Sequence, residues 1–132
     1  MDKPRNDVQP DRTIRELARL LQESQRIAGL GSYLLDLQTN LWSSSDVLDE
    51  FLGIETDYER SVDGWVALIH PEDRDDMSAY FSQEVLAGDK RFDREYRIVR
   101  RSDHAPRWAH GMGRLERDES GKAILTRGTI QA

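Results

Sequence analysis

The sequence predicts an α+β domain, with a sheet and its helices gathered on one face. Three observations predict it. The stretch from Lys90 to Gln131 carries three strand-like runs separated by two turns. The stretch from Ser44 to Ala87 carries short helical patterns. Ahead of these, two short strand signals follow an amphipathic helix. Helices therefore sit between the second and third strands.

In chain order, Met1 to Asp11 is polar and holds two prolines, which predicts a disordered linker over residues 1–11. Asp11 is suited to cap a helix running from Arg12 to Ala28. Ile14, Leu17, Ala18, Leu20, Leu21, Ile27 and Ala28 fall on one side of it, and Arg15, Glu16, Arg19, Glu23 and Arg26 on the other. Within the apolar side, Ile14, Leu17, Leu21, Ser24 and Ala28 have heptad spacing. That face is wide enough to cover its own domain or to meet a second copy of the chain.

Gly29-Leu30-Gly31 stops this helix, and Ser32 to Leu37 and Leu41 to Ser43 read as two short strands about a Thr39-Asn40 turn. Ser44 or Ser45 caps the next helix, which carries Val47, Leu48, Phe51 and Leu52 and stops at Gly53. Ser61 caps another with Trp65, Val66, Leu68 and Ile69. Pro71 then suits the first position of a helix, with Glu72 and Asp73 placed favourably for its dipole. That helix should reach Ala87 and turn Met77, Tyr80, Phe81, Val85 and Leu86 inward.

The last three runs alternate with period two. Phe92, Tyr96 and Ile98 alternate with Asp93, Glu95 and Arg97. Trp108, His110 and Met112 alternate with Ala109, Gly111 and Gly113. The third run holds Ile124, Leu125, Thr126, Thr129 and Ile130. Gly121, in the turn before it, is placed to take positive φ.

With 132 residues, one core is feasible. The net charge of −6 disfavours nucleic acid as a partner. No run approaches the ~18 apolar residues of a membrane span and no signal peptide is evident, so a cytoplasmic domain, or a cytosolic piece of a larger protein, is expected. The absence of cysteine excludes disulfides, thiolate zinc sites, iron–sulfur ligation and a cysteine nucleophile. No serine elbow, phosphate loop or metal-spaced histidine pair is present, so neither catalysis nor a metal site is expected. Asp93 and Glu95 share a strand face, where solvent or Arg97, Arg114 and Arg127 would satisfy them.

Several motifs together resemble the PAS domain with a PAC-type C-terminal half. They are Gly29-Leu30-Gly31-Ser32-Tyr33 with Asp36-Leu37, Leu41-Trp42-Ser43, Phe51-Leu52-Gly53-Ile54 and Leu68-Ile69-His70-Pro71-Glu72-Asp73-Arg74. Phe92 to Arg100, Arg107-Trp108-Ala109, Asp118 to Gly121 and Gly128 to Gln131 complete the series. The resemblance covers residues 27 to 131 and sets a PAS/PAC domain at 29–132, preceded by a flanking helix at 12–28. It implies a five-stranded antiparallel sheet in the order 2-1-5-4-3 with short helices over one face.

Functionally, it implies a sensory or dimerising module, usually attached to a histidine kinase, a cyclic-di-nucleotide enzyme such as a diguanylate cyclase, or a transcription regulator. The first helix matches the flanking helix that often makes homodimers in the family. The dimer candidates are Ile14, Leu17, Leu21, Ser24 and Ala28. This chain holds no effector, and one is expected beyond it. The hairpin turn at Ser102 to Pro106 departs from the family's usual Asp-Gly and should be longer or differently shaped.

A ligand pocket, if present, would be lined by Phe51, Leu52, Trp65, Leu68, Met77, Phe81, Tyr96, Ile98, Trp108, His110 and Met112. The plainer reading is that these residues fill the core. No cofactor is assigned; an unidentified small, mostly apolar ligand is the alternative. Cysteinyl-flavin photochemistry is excluded for want of a cysteine. Haem would need an axial ligand from His70, His104 or His110 and is not expected. His70 is suited to bracing a helix start, and His104 lies in a turn. Strand parity alone leaves open which sheet face His110 takes.

Overall fold

Helix α1 (Pro10–Ala28) leads into β1 (Leu30–Asp36) and β2 (Leu41–Ser44) in the computed structural model, which describes residues 10–132. Helices α2 (Asp46–Leu52) and α3 (Val62–Leu68) follow. A continuous helical run comes next: a 3-10 turn (Pro71–Asp73), α4 (Arg74–Ala79) and a π-helical segment (Tyr80–Leu86). Strands β3 (Phe92–Val99), β4 (Pro106–Arg117) and β5 (Ala123–Gln131) complete one antiparallel sheet of order β2-β1-β5-β4-β3. This is the α+β layout and strand order expected from the sequence.

Most of the linker expected over residues 1–11 lies outside the described residues. Helix α1 begins at Pro10, so Asp11 sits in its first turn, where a carboxylate favours the helix dipole, and does not cap it. Residues 11–24 are all exposed. Of the two roles open to α1, covering its own sheet is not the one adopted: Leu17 stays 56% exposed, Leu21 64% and Ile27 88%. An ion pair from Arg26 to Glu50 at 2.8 Å ties the end of α1 to α2.

Local chemistry sets α2. Ser45 caps it by accepting from Leu48 N–H at 3.3 Å, and Gly53 ends it at φ 68°. The long β3–β4 connection, Arg100–Ala105, supplies the other half of the ending. Arg100 donates to the carbonyls of Glu50 and Phe51 at 2.8 and 3.1 Å, and Arg101 N–H donates to Leu52 O at 2.9 Å. The last carbonyls of a helix have no partner within it, and this turn provides one. The turn that departs from the expected Asp-Gly is therefore a clamp on α2.

Ser61 caps α3, accepting from Gly64 N–H at 3.0 Å. His70 Nδ1 accepts from Glu72 N–H at 3.2 Å, the brace expected at the start of the next helical run. Isolated bridges Leu41↔Ser61 and Ile69↔Ile98 fasten the helical layer to β2 and β3. Leu48, Leu52, Leu68, Ile69, Val85 and Ile98 fill the centre of the resulting core.

Register decides the faces. Tyr96 pairs with Ala109 and Arg97 with Trp108, so Phe92, Tyr96, Ile98, Ala109 and Gly111 look toward the helices. Trp108, His110 and Met112 share the opposite, outer face with Asp93, Glu95 and Arg97. Trp108 is 63% exposed and Met112 44%.

Candidate functional site

Between the helical layer and the inner sheet face lies a cavity of about 60 Å³. Seven elements and the π segment converge on it: Tyr33 from β1, Trp42 from β2, Leu48 and Leu52 from α2, and Val62 and Trp65 from α3, with Phe81, Phe92, Tyr96, Gly111 and Ile130. Its aromatic wall is built on Trp65. Phe81, Phe92 and Tyr96 meet that indole edge to face, with ring centres 5.6, 6.1 and 6.1 Å away. This is the favoured geometry for rings with negative faces and positive edges.

The floor is made of glycine. A Cβ on Gly111 would lie 2.8 Å from the Phe92 ring, and one on Gly113 would lie 2.3 Å from the Tyr33 hydroxyl. Gly113 and Gly128 face each other across β4 and β5, and the Tyr33 ring extends over them from β1. Aromatic side chains from β1 and β3 occupy the space above β4, so β4 has no room for its own.

Polar groups in the cavity are few. Trp65 Nε1 donates to the Tyr96 hydroxyl at 3.2 Å. Burial pushes the Tyr96 hydroxyl up to about 12, against the opposing pull of the Trp65 hydrogen bond. Burial likewise raises Tyr33, with a smaller contribution from Tyr96. Both hydroxyls are neutral at ordinary pH. The site therefore offers shape, apolar contact and neutral hydroxyls.

Of the pocket residues expected from sequence, Leu52, Trp65, Phe81 and Tyr96 line the cavity. Leu68, Met77 and Ile98 are buried in the core beside it, as the core-filling reading has them, and half-buried Phe51 packs against that core. Trp108, His110 and Met112 do not face it. Their parity puts them on the outer face, because the small residues of β4 are the ones that fit under the inner aromatics. His110 Nε2 lies 2.6 Å from Asp93 Oδ1, so the partner of Asp93 is this imidazole and not an arginine. His70 caps a helix start, and His104 is exposed in a turn at φ 59°. No histidine lines the cavity, so no imidazole there is placed to ligate haem iron.

Tyr33, Trp42, Leu48, Val62, Phe92, Gly111 and Ile130 were not anticipated as lining. Phe92 was findable, since it shares strand parity with Tyr96. Leu48 was visible on the same apolar helix face as Leu52. Gly111 has no side chain to signal its place.

This layered arrangement, an antiparallel sheet cupping a small apolar cavity under short helices, is that of a PAS domain. The family model described as PAS fold matches residues 41–130, and the chain belongs to that family. Among solved structures it is similar to the N-terminal domain of a diguanylate cyclase with PAS/PAC sensor from Marinobacter aquaeolei. That pair has 20% identity and a TM-score of 0.70, over 76% of this chain and 92% of the other. It is also similar to a sensory box histidine kinase/response regulator from Burkholderia thailandensis, with 23% identity and a TM-score of 0.67, over 84% and 82% of the two chains. The PAS domain of a protein from Colwellia psychrerythraea gives 13% identity and a TM-score of 0.65, over 87% and 95%. No curated protein sequence matches the chain. Among the described residues, no helix is long and apolar enough to cross a membrane.

Proposed function

We propose that this chain is a sensory input module of a larger cytoplasmic signalling protein and that it dimerises through α1. The module is not itself catalytic. Its effector is a covalently linked domain, of the histidine kinase or diguanylate cyclase kind. The observation that carries the dimer is the exposed stripe Ile14, Leu17, Leu20, Leu21 and Ile27 on a helix that leaves the core complete without it. Burying such a stripe against a second copy removes apolar surface from water, worth ~25 cal/mol per Å². In that arrangement Ser24 and Ala28 are the small residues of the heptad seam. The Arg26–Glu50 pair then joins a helix that moves with its partner to a helix that lines the cavity.

Sedimentation of the whole chain tests this reading. The wild-type chain is expected to be a dimer, and Leu17→Glu with Leu21→Glu a folded monomer. A wild-type monomer at high concentration would sink the dimer reading.

The cavity favours a second reading, in which the module senses a small ligand. Its apolar aromatic lining with a neutral hydroxyl is the chemistry of a small-molecule site. Native mass spectrometry and an absorbance scan of the purified chain test it, and a colourless chain of apo mass that takes up no apolar probe counts against it.

A further inference from the structure

Val62, Trp65 and Phe81 line the interior cavity on one side and a surface groove of about 570 Å³ on the other. The groove lies between the β1–β2 turn and the π segment. Thr39, Asn40, Ser78 and Ser82 edge it, with Asp63 supplying a carboxylate on its lining. The same three side chains thus belong to both spaces.

They differ in how firmly each is held. Trp65 is anchored by its hydrogen bond to the Tyr96 hydroxyl at 3.2 Å. Val62 is β-branched and stiff about χ1. Phe81 has no polar atom to anchor it, and it meets Trp65 edge-on at 5.6 Å. Trp42, another half-buried aromatic of the cavity, is held by Ser61 O, which its Nε1 reaches at 2.7 Å. Phe81 is therefore the wall element that rotates at least cost. It also sits in the π-helical segment, and π turns inside helices recur at functional sites.

Size calls for a movement. About 60 Å³ is under half of the ~150 Å³ apolar cavity that holds benzene or xenon. The groove lies within the ~300–1,000 Å³ range of small-molecule sites. A ligand of more than a few atoms needs more room than the interior offers, and a swing of Phe81 would supply it by joining the two spaces. Chemistry restricts what passes. The cavity lining carries no charged side chain to pair with an ion, and an unpaired charge is costly to bury.

We propose that Phe81 gates a two-chamber site, with the groove as antechamber, and that the molecule it admits presents an uncharged, apolar, preferably aromatic end to the interior. The proposal rests on the ligand-sensing reading of the cavity. It is tested with xenon and benzene as probes on the methyl-labelled full chain, read by NMR.

Xenon is expected to shift the methyls of Leu48 and Ile130 in the wild-type chain. Phe81→Ala, or the milder Phe81→Leu, is expected to speed benzene exchange at those methyls by about tenfold, since removing a required conformational change raises association rates. Phe81→Trp is expected to slow it. Trp42→Phe, on another wall of the cavity, tests an alternative mouth, and Trp108→Phe on the outer sheet face is expected to leave the rates alone. Probe shifts at Leu48 and Ile130 with rates unchanged in every Phe81 variant overturn the gate and leave the cavity reading standing. Rates that respond to Trp42→Phe and not to Phe81 place the mouth elsewhere and also overturn it. No shift at either methyl in any variant overturns both readings.

Discussion

One oxygen of Asp73 accepts both the backbone N–H and the Nε–H of Arg97, at 2.9 and 3.1 Å, while its other oxygen accepts from Nη2 at 2.8 Å. The start of the long helical run is thereby fastened to β3. The Arg97 side-chain hydrogen bonds hold the Asp73 carboxyl below the usual carboxylate range, and desolvation opposes them. Arg97 continues outward to stack its guanidinium 5.7 Å from the Trp108 ring centre.

Asp73→Asn should therefore lower stability in a pH-dependent way. Because the folded carboxyl has the lower pKa, its contribution is fully present above the unfolded value of ~3.9 and is lost as pH falls through the folded one. Urea midpoints of wild type and variant should differ by a constant amount at neutral pH and converge in acid. Identical midpoints at pH ~7, where the carboxylate is fully ionised, would refute the assignment.

The glycine floor predicts an asymmetric pair of double variants. Gly128→Ala drives a Cβ to 1.9 Å from Met112 O, a backbone atom that cannot step aside. Gly113→Ala meets mainly the Tyr33 hydroxyl, at 2.3 Å. Each should cost roughly 1–3 kcal/mol or more by overpacking. Tyr33→Phe should recover part of the Gly113→Ala loss and little of the other. Equal rescue by thermal denaturation would contradict the contact assignment.

Alkaline pH should unfold the domain through its buried tyrosines. Tyr96 is pushed up to about 12 and Tyr33 is raised, while an unfolded tyrosine ionises near ~10. The unfolded chain thus releases protons that the folded one keeps, so stability is intact below ~10 and falls as pH rises toward the folded values. Trp65→Phe removes a hydrogen bond that lowers Tyr96, so it should push that hydroxyl higher still. Tyrosinate absorbance followed against unfolding fraction checks both statements, and tyrosine ionisation well ahead of unfolding would overturn them.

Two substitutions on neighbouring strands test the face assignment. Ile98 is 1% exposed and Trp108 63%. Ile98→Ala should cost ~2–5 kcal/mol by cavity formation, and Trp108→Ala should stay within about 0.5 kcal/mol. A large loss from Trp108→Ala in chemical denaturation would mean that the outer face is covered in solution.

The element order and the α+β layout were legible in the sequence because they rest on local signals, and the strand order followed from the family resemblance. Ser45, Gly53, Ser61 and Pro71 punctuate helices wherever they occur, and the period-two runs are long. The faces of β4 were not legible. Large residues at 108, 110 and 112 read as a pocket face, yet the inner side belongs to Ala109, Gly111 and Gly113. The deciding quantity is the volume of Tyr33, Phe92 and Tyr96 arriving from other strands, which β4's own sequence does not contain. The clamp of Arg100 and Arg101 on α2 is equally non-local, since it joins residues about fifty positions apart. The π turn that sets Phe81 differs from an α turn by a single residue and leaves the apolar pattern of Met77, Tyr80, Phe81 and Val85 intact.

The two outermost strands have a bearing on how this protein behaves in a crowded solution. An unpaired strand rim invites another chain to add to it and so seeds fibres. Here several of the rim groups are already engaged. Along β3, Tyr80 OH accepts from Asp93 N–H at 3.0 Å, Asp73 accepts from Arg97 N–H, and His70 N–H donates to Arg97 O at 2.9 Å. On β2, Trp42 N–H already donates to Arg60 O at 2.8 Å. At these positions the backbone groups that an added strand would need are already used, so strand-by-strand polymerisation is disfavoured at both ends of the sheet.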